Sequence, residues 1–407
     1  MSTNNASSRS CAFTTQVRVA EGKTIVDHDM LRSRHLRVGA NPHGPMAVMM
    51  ARQTSGGPKH LQQEETQSVN VVNASVTYLA NVGVGDPAQT FQLLIDTGSS
   101  NTWITNEHDE YKPTKTATDM RKHFQLSYGK GDCEGNEYLD TVTLGENIVI
   151  KNQSIGVASR TDEMGGMSGI LGIGPTGLTK GTVTDSDEQL TVMDNLMQQG
   201  TIAEECIGIY YAPTMPDSTT NTGSLCFGGP DASKFTGEIN WIPLTKQAPA
   251  NRYWGIDQSI SYGRGGPTIM ATCAGISDTG TTLIMLPDAA FNEYMKQTGA
   301  VMDDATGLPT VTDAQLAQMQ SLLFKIGDQE YELIPNAQLW PRAQNTTLGG
   351  DANKNYLAFS SMGTMGNEPG LQFINGYAFL QRFYSAYDTT NCRLGMAMTA
   401  HTMDETN

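Results

Sequence analysis

Two short stretches of this chain can do chemistry together. Asp96-Thr97-Gly98-Ser99-Ser100 recurs as Asp278-Thr279-Gly280-Thr281-Thr282, each copy following an apolar strand-like run. One D-T-G is a weak signal, because the tripeptide is common in ordinary turns; two copies, each trailed by hydroxyl residues, are a strong one. Two carboxylates held about 3 Å apart cannot both ionise cheaply, so they share one proton over a wide acidic range. Such a dyad carries base and acid in one site: the ionised partner takes a proton from a water, and the protonated one gives a proton to a scissile carbonyl oxygen. Gly98 and Gly280 leave room for the backbone to approach closely. Ser99 and Thr281 are placed to hydrogen-bond the outer carboxylate oxygens and fix their orientation.

A repeat of this kind needs two similar lobes to present it. Each D-T-G is succeeded downstream by an apolar segment ending in glycine, Ile170-Leu171-Gly172 and then Phe373-Ile374-Asn375-Gly376. That pattern predicts two β lobes related by an approximate two-fold axis. Short β-branched and aromatic runs parted by turn formers start near Val69, and the 42 glycines suit an all-β protein. Tyr78–Gly85 and Phe91–Ile95 read as a strand pair turning at Asp86-Pro87. Phe124 to Gly145 reads as a hairpin around Gly129-Lys130-Gly131-Asp132. Helical stretches are few, with Thr191–Gln199 and Pro287–Lys296 the best candidates. The expected domains are residues 1–69, 70–245 and 246–407.

Charge separates the first of these from the rest. Residues 1–69 hold eight Lys/Arg against five Asp/Glu, +3, so the remainder carries −19 of the total −16. The acidic body argues against nucleic acid as a partner, because phosphate is repelled. It suits a protein that works in acid. The longest apolar stretch, Met46 to Ala51, is too short to span a bilayer. The first residues lack the apolar core of a secretory signal. Six cysteines show no CxxC spacing, which disfavours a zinc knuckle. Cys206 and Cys226 flank an expected hairpin and are a candidate pair, while Cys133 reads as a partly exposed free thiol. Sequons stand at Asn5, Asn73, Asn152 and Asn345.

Tyr78 through Trp103 reads Y-L-A-N-V-G-V-G-D-P-A-Q-T-F-Q-L-L-I-D-T-G-S-S-N-T-W. This span resembles the first-lobe signature of the pepsin-family aspartic proteases. The second D-T-G-T-T, Tyr128-Gly129, the Ser168–Gly174 segment and the Asn391–Ala397 hairpin follow in family order, so the resemblance covers residues 70 to about 400. The resemblance implies a bilobal pepsin-like all-β fold with a deep cleft, and an endopeptidase that cuts proteins and peptides. Fungal members are suggested by the scarcity of the family's disulfides. Asp96 and Asp278 would be the catalytic pair, with Ser99 and Thr281 supporting them. Tyr128 and Gly129 would sit on a mobile flap, the tyrosine hydroxyl directed at Trp103. Gly98, Gly280 and Thr282 would line the cleft, where substrate binds as an extended strand. No metal or organic cofactor is implied, nor any membrane partner. One chain carries both halves, so a monomer is expected. The family also favours an extracellular or acidic vacuolar location.

Three departures stand out: Lys130 follows the flap glycine, Cys133 lies in the same hairpin, and Asn375 and Tyr377 flank Gly376 where an apolar and an acidic residue are usual. The alternative function is a silent pepsin-fold protein that holds a peptide or a partner; such relatives usually lack an aspartate, a D-T-G glycine or the flap tyrosine, all present here. The basic leader and acidic body match the charge logic of a zymogen. Thr24 through Arg37 is expected over the cleft, with processing between about Lys59 and Ser68.

Overall fold

The computed structural model describes residues 24–38, 67–74, 77–106, 110–128, 132–145, 147–161, 168–213 and 221–407. Among them the strands form sheets of thirteen, seven and three members. Thr77–Val84 pairs antiparallel with Gln89–Asp96, turning through Asp86-Pro87. Alternation along Gln89–Asp96 buries Phe91, Leu93 and Ile95, so the strand reaches Asp96 already anchored in the core. Thr118–Ser127 and Asp132–Gly145 form the expected hairpin, while its tip, with Gly129 and Lys130, lies outside the described residues.

The same small arrangement is built twice. Gln89–Asp96 runs parallel to Gly169–Gly172, which in turn pairs antiparallel with Thr102–Thr105. In the second half Thr268–Ser277 runs parallel to Ile374–Asn375, itself antiparallel to Ile284–Leu286. Each unit therefore ends one strand at or just before an aspartate and supports it by the apolar segment ahead of a glycine. Glycine is required at those places: a Cβ on Gly172 would meet the Ser100 and Asn101 backbone, and one on Gly376 the carbonyl of Thr281.

The halves are also joined by backbone. Gln67–Ala74 pairs with Asn221–Phe227, that strand with Cys206–Tyr211, and Cys206–Tyr211 with Phe383–Asp388 from the far end of the chain. Residues after 380 thus complete a sheet begun before residue 80.

Both expected helices are present, as Val192–Gln198 and Asp288–Thr298. The first opens on a capping box between Thr191 and Asp194, and the second stops at Gly299, whose φ of +67° is the left-handed conformation that ends helices. Short further helical turns occur, such as Asp313–Leu316 and Tyr377–Leu380, whose lengths are below what periodicity can detect.

Two cysteine expectations are corrected. Cys206 and Cys226 are both buried thiols that no disulfide joins. Cys226 lies opposite Gly208 rather than Cys206, which leaves the two thiols diagonal across the strand pair. Diagonal Cα atoms lie about 7–8 Å apart, beyond the reach of a disulfide. Cys133 is free but buried, packed with Phe124, Tyr128 and Trp103, and burial pushes its thiol up, away from the reactive thiolate. The Asn345 side chain is likewise buried and donates to the carbonyls of Asp351 and Lys354, so that sequon is closed in the folded chain.

Candidate active site

Asp96 and Asp278 are both fully buried and face each other across the join between the halves. A Cβ added at Gly98 would stand 2.6 Å from Asp278 Oδ1, and one at Gly280 would stand 2.6 Å from Asp96 Oδ1. Only glycine permits each carboxylate to lie this close to the opposite loop. The inner oxygens accept from backbone: Gly98 N–H to Asp96 Oδ1 (2.9 Å) and Gly280 N–H to Asp278 Oδ1 (3.2 Å). The outer oxygens accept from hydroxyls, Ser99 Oγ to Asp96 Oδ2 and Thr281 Oγ to Asp278 Oδ2, both 2.5 Å. The two carboxyls are held in matching orientation by matching donors.

Beneath them the two loops are laced together. Thr97 N–H donates to Thr279 Oγ and Thr279 N–H donates to Thr97 Oγ, each at 3.0 Å. Thr279 Oγ donates across to the Ile95 carbonyl (2.8 Å), and Thr97 Oγ to that of Ser277 (3.4 Å). Sequence reasoning singled out neither threonine. The signal was present in the repeat itself, since the middle residue of both triplets is a threonine, but its crossing partner is visible only in three dimensions.

The end of the Thr118–Ser127 strand is anchored by Trp103, whose Nε1 donates to the Tyr128 hydroxyl (2.8 Å). Both rings are buried. Behind the second aspartate, Asn375 and Gln258 exchange two amide hydrogen bonds, 2.8 and 3.1 Å, and Tyr377 N–H donates to the Thr281 carbonyl (2.8 Å). Asn375 is thus tied to the Gly255–Tyr262 strand, and Tyr377 to the Thr281 loop.

A helix from the basic leader enters this site. Ile25–Val38 is started by Thr24, which exchanges hydrogen bonds with Asp27. Its buried residues, Ile25, Asp29, Arg32, Ser33 and Leu36, follow helical spacing and define one face. Two of them are charged, and each has its counterpart. Arg32 Nη2 donates to Asp96 Oδ1 (2.6 Å) and Asp278 Oδ1 (2.8 Å), and its Nε donates to Asp278 Oδ2 (2.7 Å). Asp29 accepts from the N–H groups of Thr282 (3.1 Å) and Leu283 (2.7 Å). Nearer the helix end, His35 stands against the Tyr128 ring, 6.3 Å between centroids.

Electrostatics follow from burial and from Arg32. Burial pushes the Asp96 carboxyl up, Arg32 opposes it, Asp278 adds to it, and the result is a carboxyl above its ordinary range. Burial acts the same way on Asp278, but the charge and hydrogen bonds of Arg32, with those of Thr281 and Gly280, outweigh it and hold that carboxyl low. Arg32 itself, although penalised by burial, is pushed well above its ordinary value by the two aspartates. Burial and the adjacent Arg32 charge lower His35 to about 4, with Asp132 opposing.

A fold with a duplicated aspartate loop, a lacing of threonines and a tyrosine held by a buried tryptophan defines a class, and comparison with known proteins agrees. The family model described as eukaryotic aspartyl protease matches residues 77–399. The chain belongs to that family, and it is an aspartic endopeptidase acting on proteins or peptides. Among individual relatives it is similar to polyporopepsin of Irpex lacteus, with 49% identity over 84% of this chain and 99% of the relative. Cathepsin E of Rattus norvegicus is 31% identical over 79% of each chain. The crystal structure of the aspartic proteinase from Irpex lacteus superposes with a TM-score of 0.80, covering 84% of this chain and all of that one.

Proposed function

We propose that Asp96 and Asp278 are the catalytic pair, sharing one proton and activating a water against the peptide carbonyl at acidic pH. The observation that carries this is their mutual burial, with matched donors on both sides and a glycine beneath each. Ser99 and Thr281 orient the pair. Thr282, with Gly98 and Gly280, lines the cleft for an extended substrate, and the Tyr128 hairpin closes over it. Both halves reside in one chain, which supports a working monomer.

We further propose that residues 1–69 are an inhibitory prosegment and that the chain is a zymogen. Arg32 binds the dyad where the attacking water and the scissile carbonyl must come, so the site is blocked while the helix is docked. Arg32 acts on both carboxyls in the direction of their charged forms, opposing burial at Asp96 and outweighing it at Asp278. His35 docks in its neutral form, because burial and Arg32 lower it. For both kinds of group the sign is the same: docking is strongest near neutrality and weakens as pH falls, because protonated aspartates lose Arg32 and a free histidine gains its proton below its ordinary value of about 6.5.

The test uses the full-length chain and a quenched peptide. At neutral pH it should be silent; on acidification it should shorten and become active, and an Asp96→Asn chain should do neither. Removal of the leader with no gain of activity would sink the zymogen reading.

A further inference from the structure

The last turn of the leader helix ends in a second cation site. Arg37 Nη1 donates to the Leu371 carbonyl (2.8 Å), and Nη2 to the Pro369 carbonyl (3.2 Å) and Glu368 Oε2 (3.1 Å). The Arg37 side chain is only 11% exposed, though Glu368 itself is 76% exposed, so the arginine is wrapped chiefly by backbone. That backbone is fixed from behind. Ala250 N–H binds the Gly370 carbonyl (3.0 Å), Gln372 N–H binds the Ala274 carbonyl (2.8 Å), and Gly370 has a φ of +95°. A Cβ at Gly370 would run into the Ala248 carbonyl. The constraint turns the Gly370 carbonyl inward, while those of Pro369 and Leu371 on either side of it reach Arg37.

Two carbonyls and a carboxylate offer acceptors alone. A guanidinium matches them, because its planar fork presents several N–H donors at once and accepts nothing. The site is reached by the same helix that brings Arg32 to the dyad. Arg32 and Arg37 are five residues apart on one helix, a rise of about 7.5 Å at 1.5 Å per residue. An extended peptide advances about 3.3 Å per residue, so the same span corresponds to two or three substrate residues from the scissile bond.

We infer that Glu368 with the Pro369 and Leu371 carbonyls is a guanidinium-recognising subsite, held by Arg37 while the leader is docked and taken by a substrate arginine two or three positions from the cut once the leader has gone. The inference rests on the protease reading of the dyad and names a substrate preference for that same cleft. Because Glu368 is largely exposed, the selectivity is modest, a several-fold preference rather than an absolute one.

The experiment uses acid-processed enzyme and one quenched peptide with arginine walked through three positions on each side of the cut. Each peptide is paired with its citrulline counterpart, the neutral shape-mimic. At about pH 5.5 the arginine-to-citrulline ratio of kcat/KM should reach roughly 3 to 10 at a position two or three residues from the cut. Glu368→Gln should bring that ratio toward about 1.5, and Glu368→Arg should take it below 1. Cleavage of every pair at equal rates, or a preference that Glu368→Gln leaves intact, would overturn the subsite alone. Cleavage of no peptide would overturn the protease reading and the subsite with it.

Discussion

The two halves of this protein build the same aspartate loop yet set their carboxyls in opposite directions. In the first half burial dominates: it pushes Asp96 up, and it raises Glu137, buried in the Asp132–Gly145 strand, to about 7. In the second half partners dominate. Despite its burial Asp278 is held low by Arg32 and Thr281, Asp303 is lowered by its hydrogen bond to Lys354, and Glu332 by those from Ser321 and Arg264. The loops themselves differ little, so the contrast comes from what reaches them. Arg32 gives Asp278 two N–H groups and Asp96 one. With the leader docked, Arg32 therefore favours the charged form of Asp278 more strongly than that of Asp96. Pseudo-symmetry of backbone does not impose symmetry of charge.

The severest way to break this comparison is to remove either carboxyl. Asp96→Asn and Asp278→Asn should each lower kcat by about 10²- to 10⁴-fold, the scale of a lost acid–base group, once their leaders have been removed by wild-type enzyme that is then separated off. If one variant stayed active, the halves would not be equivalent in the reaction. Next in size is Arg32→Gln, which removes the cation shared by the halves. Breaking a buried ion pair costs about 3–5 kcal/mol, so the leader should release without acidification and the full-length chain should cut peptide near neutral pH. A chain still silent there would show that Asp29 and Arg37 suffice to hold the helix.

Glu137→Gln tests the first half by itself. The Glu137 carboxyl is raised, so its ionisation destabilises the fold: its contribution is favourable below about 4.5 and is lost as pH rises through about 7. A neutral glutamine should leave stability nearly unchanged at pH 4 and add up to about 3 kcal/mol above pH 8, read as a higher Tm only on the alkaline side. Equal shifts at both pH values would mean that packing, not charge, is responsible. Smallest is the difference between the threonines. Thr279→Val loses the 2.8 Å bond to Ile95 while Thr97→Val loses a longer one, so although each should cost about 1–3 kcal/mol in urea unfolding, Thr279→Val should cost the more. Identical losses would make the lacing as symmetric in energy as in backbone.

Much of this site was legible from local pattern. Asp96, Gly98, Ser99 and their counterparts at Asp278, Gly280 and Thr281 interact within three residues, so each loop's own hydrogen bonds are implied by the order of residue types. The helices Val192–Gln198 and Asp288–Thr298 were legible for a like reason, having start and stop residues at their ends. The candidate Cys206–Cys226 pair does not form because a hairpin's register, not the presence of two thiols beside it, decides which residues lie opposite. Cys133 was placed in its hairpin but not on its buried face.

What the sequence determined by itself is the duplicated D-T-G, the strand endings that carry it and the contrast between a basic leader and an acidic body. These are properties of neighbouring residues and of sums over segments, and they do not depend on where the chain goes. Tertiary structure alone decided that Thr97 and Thr279 grip each other, that Arg32 rather than another leader cation meets the dyad, and that Arg37 finds two carbonyls beside Glu368. Each of those contacts joins residues far apart in the chain, and which distant groups meet is set by sheet register and helix phase, quantities that no local stretch contains.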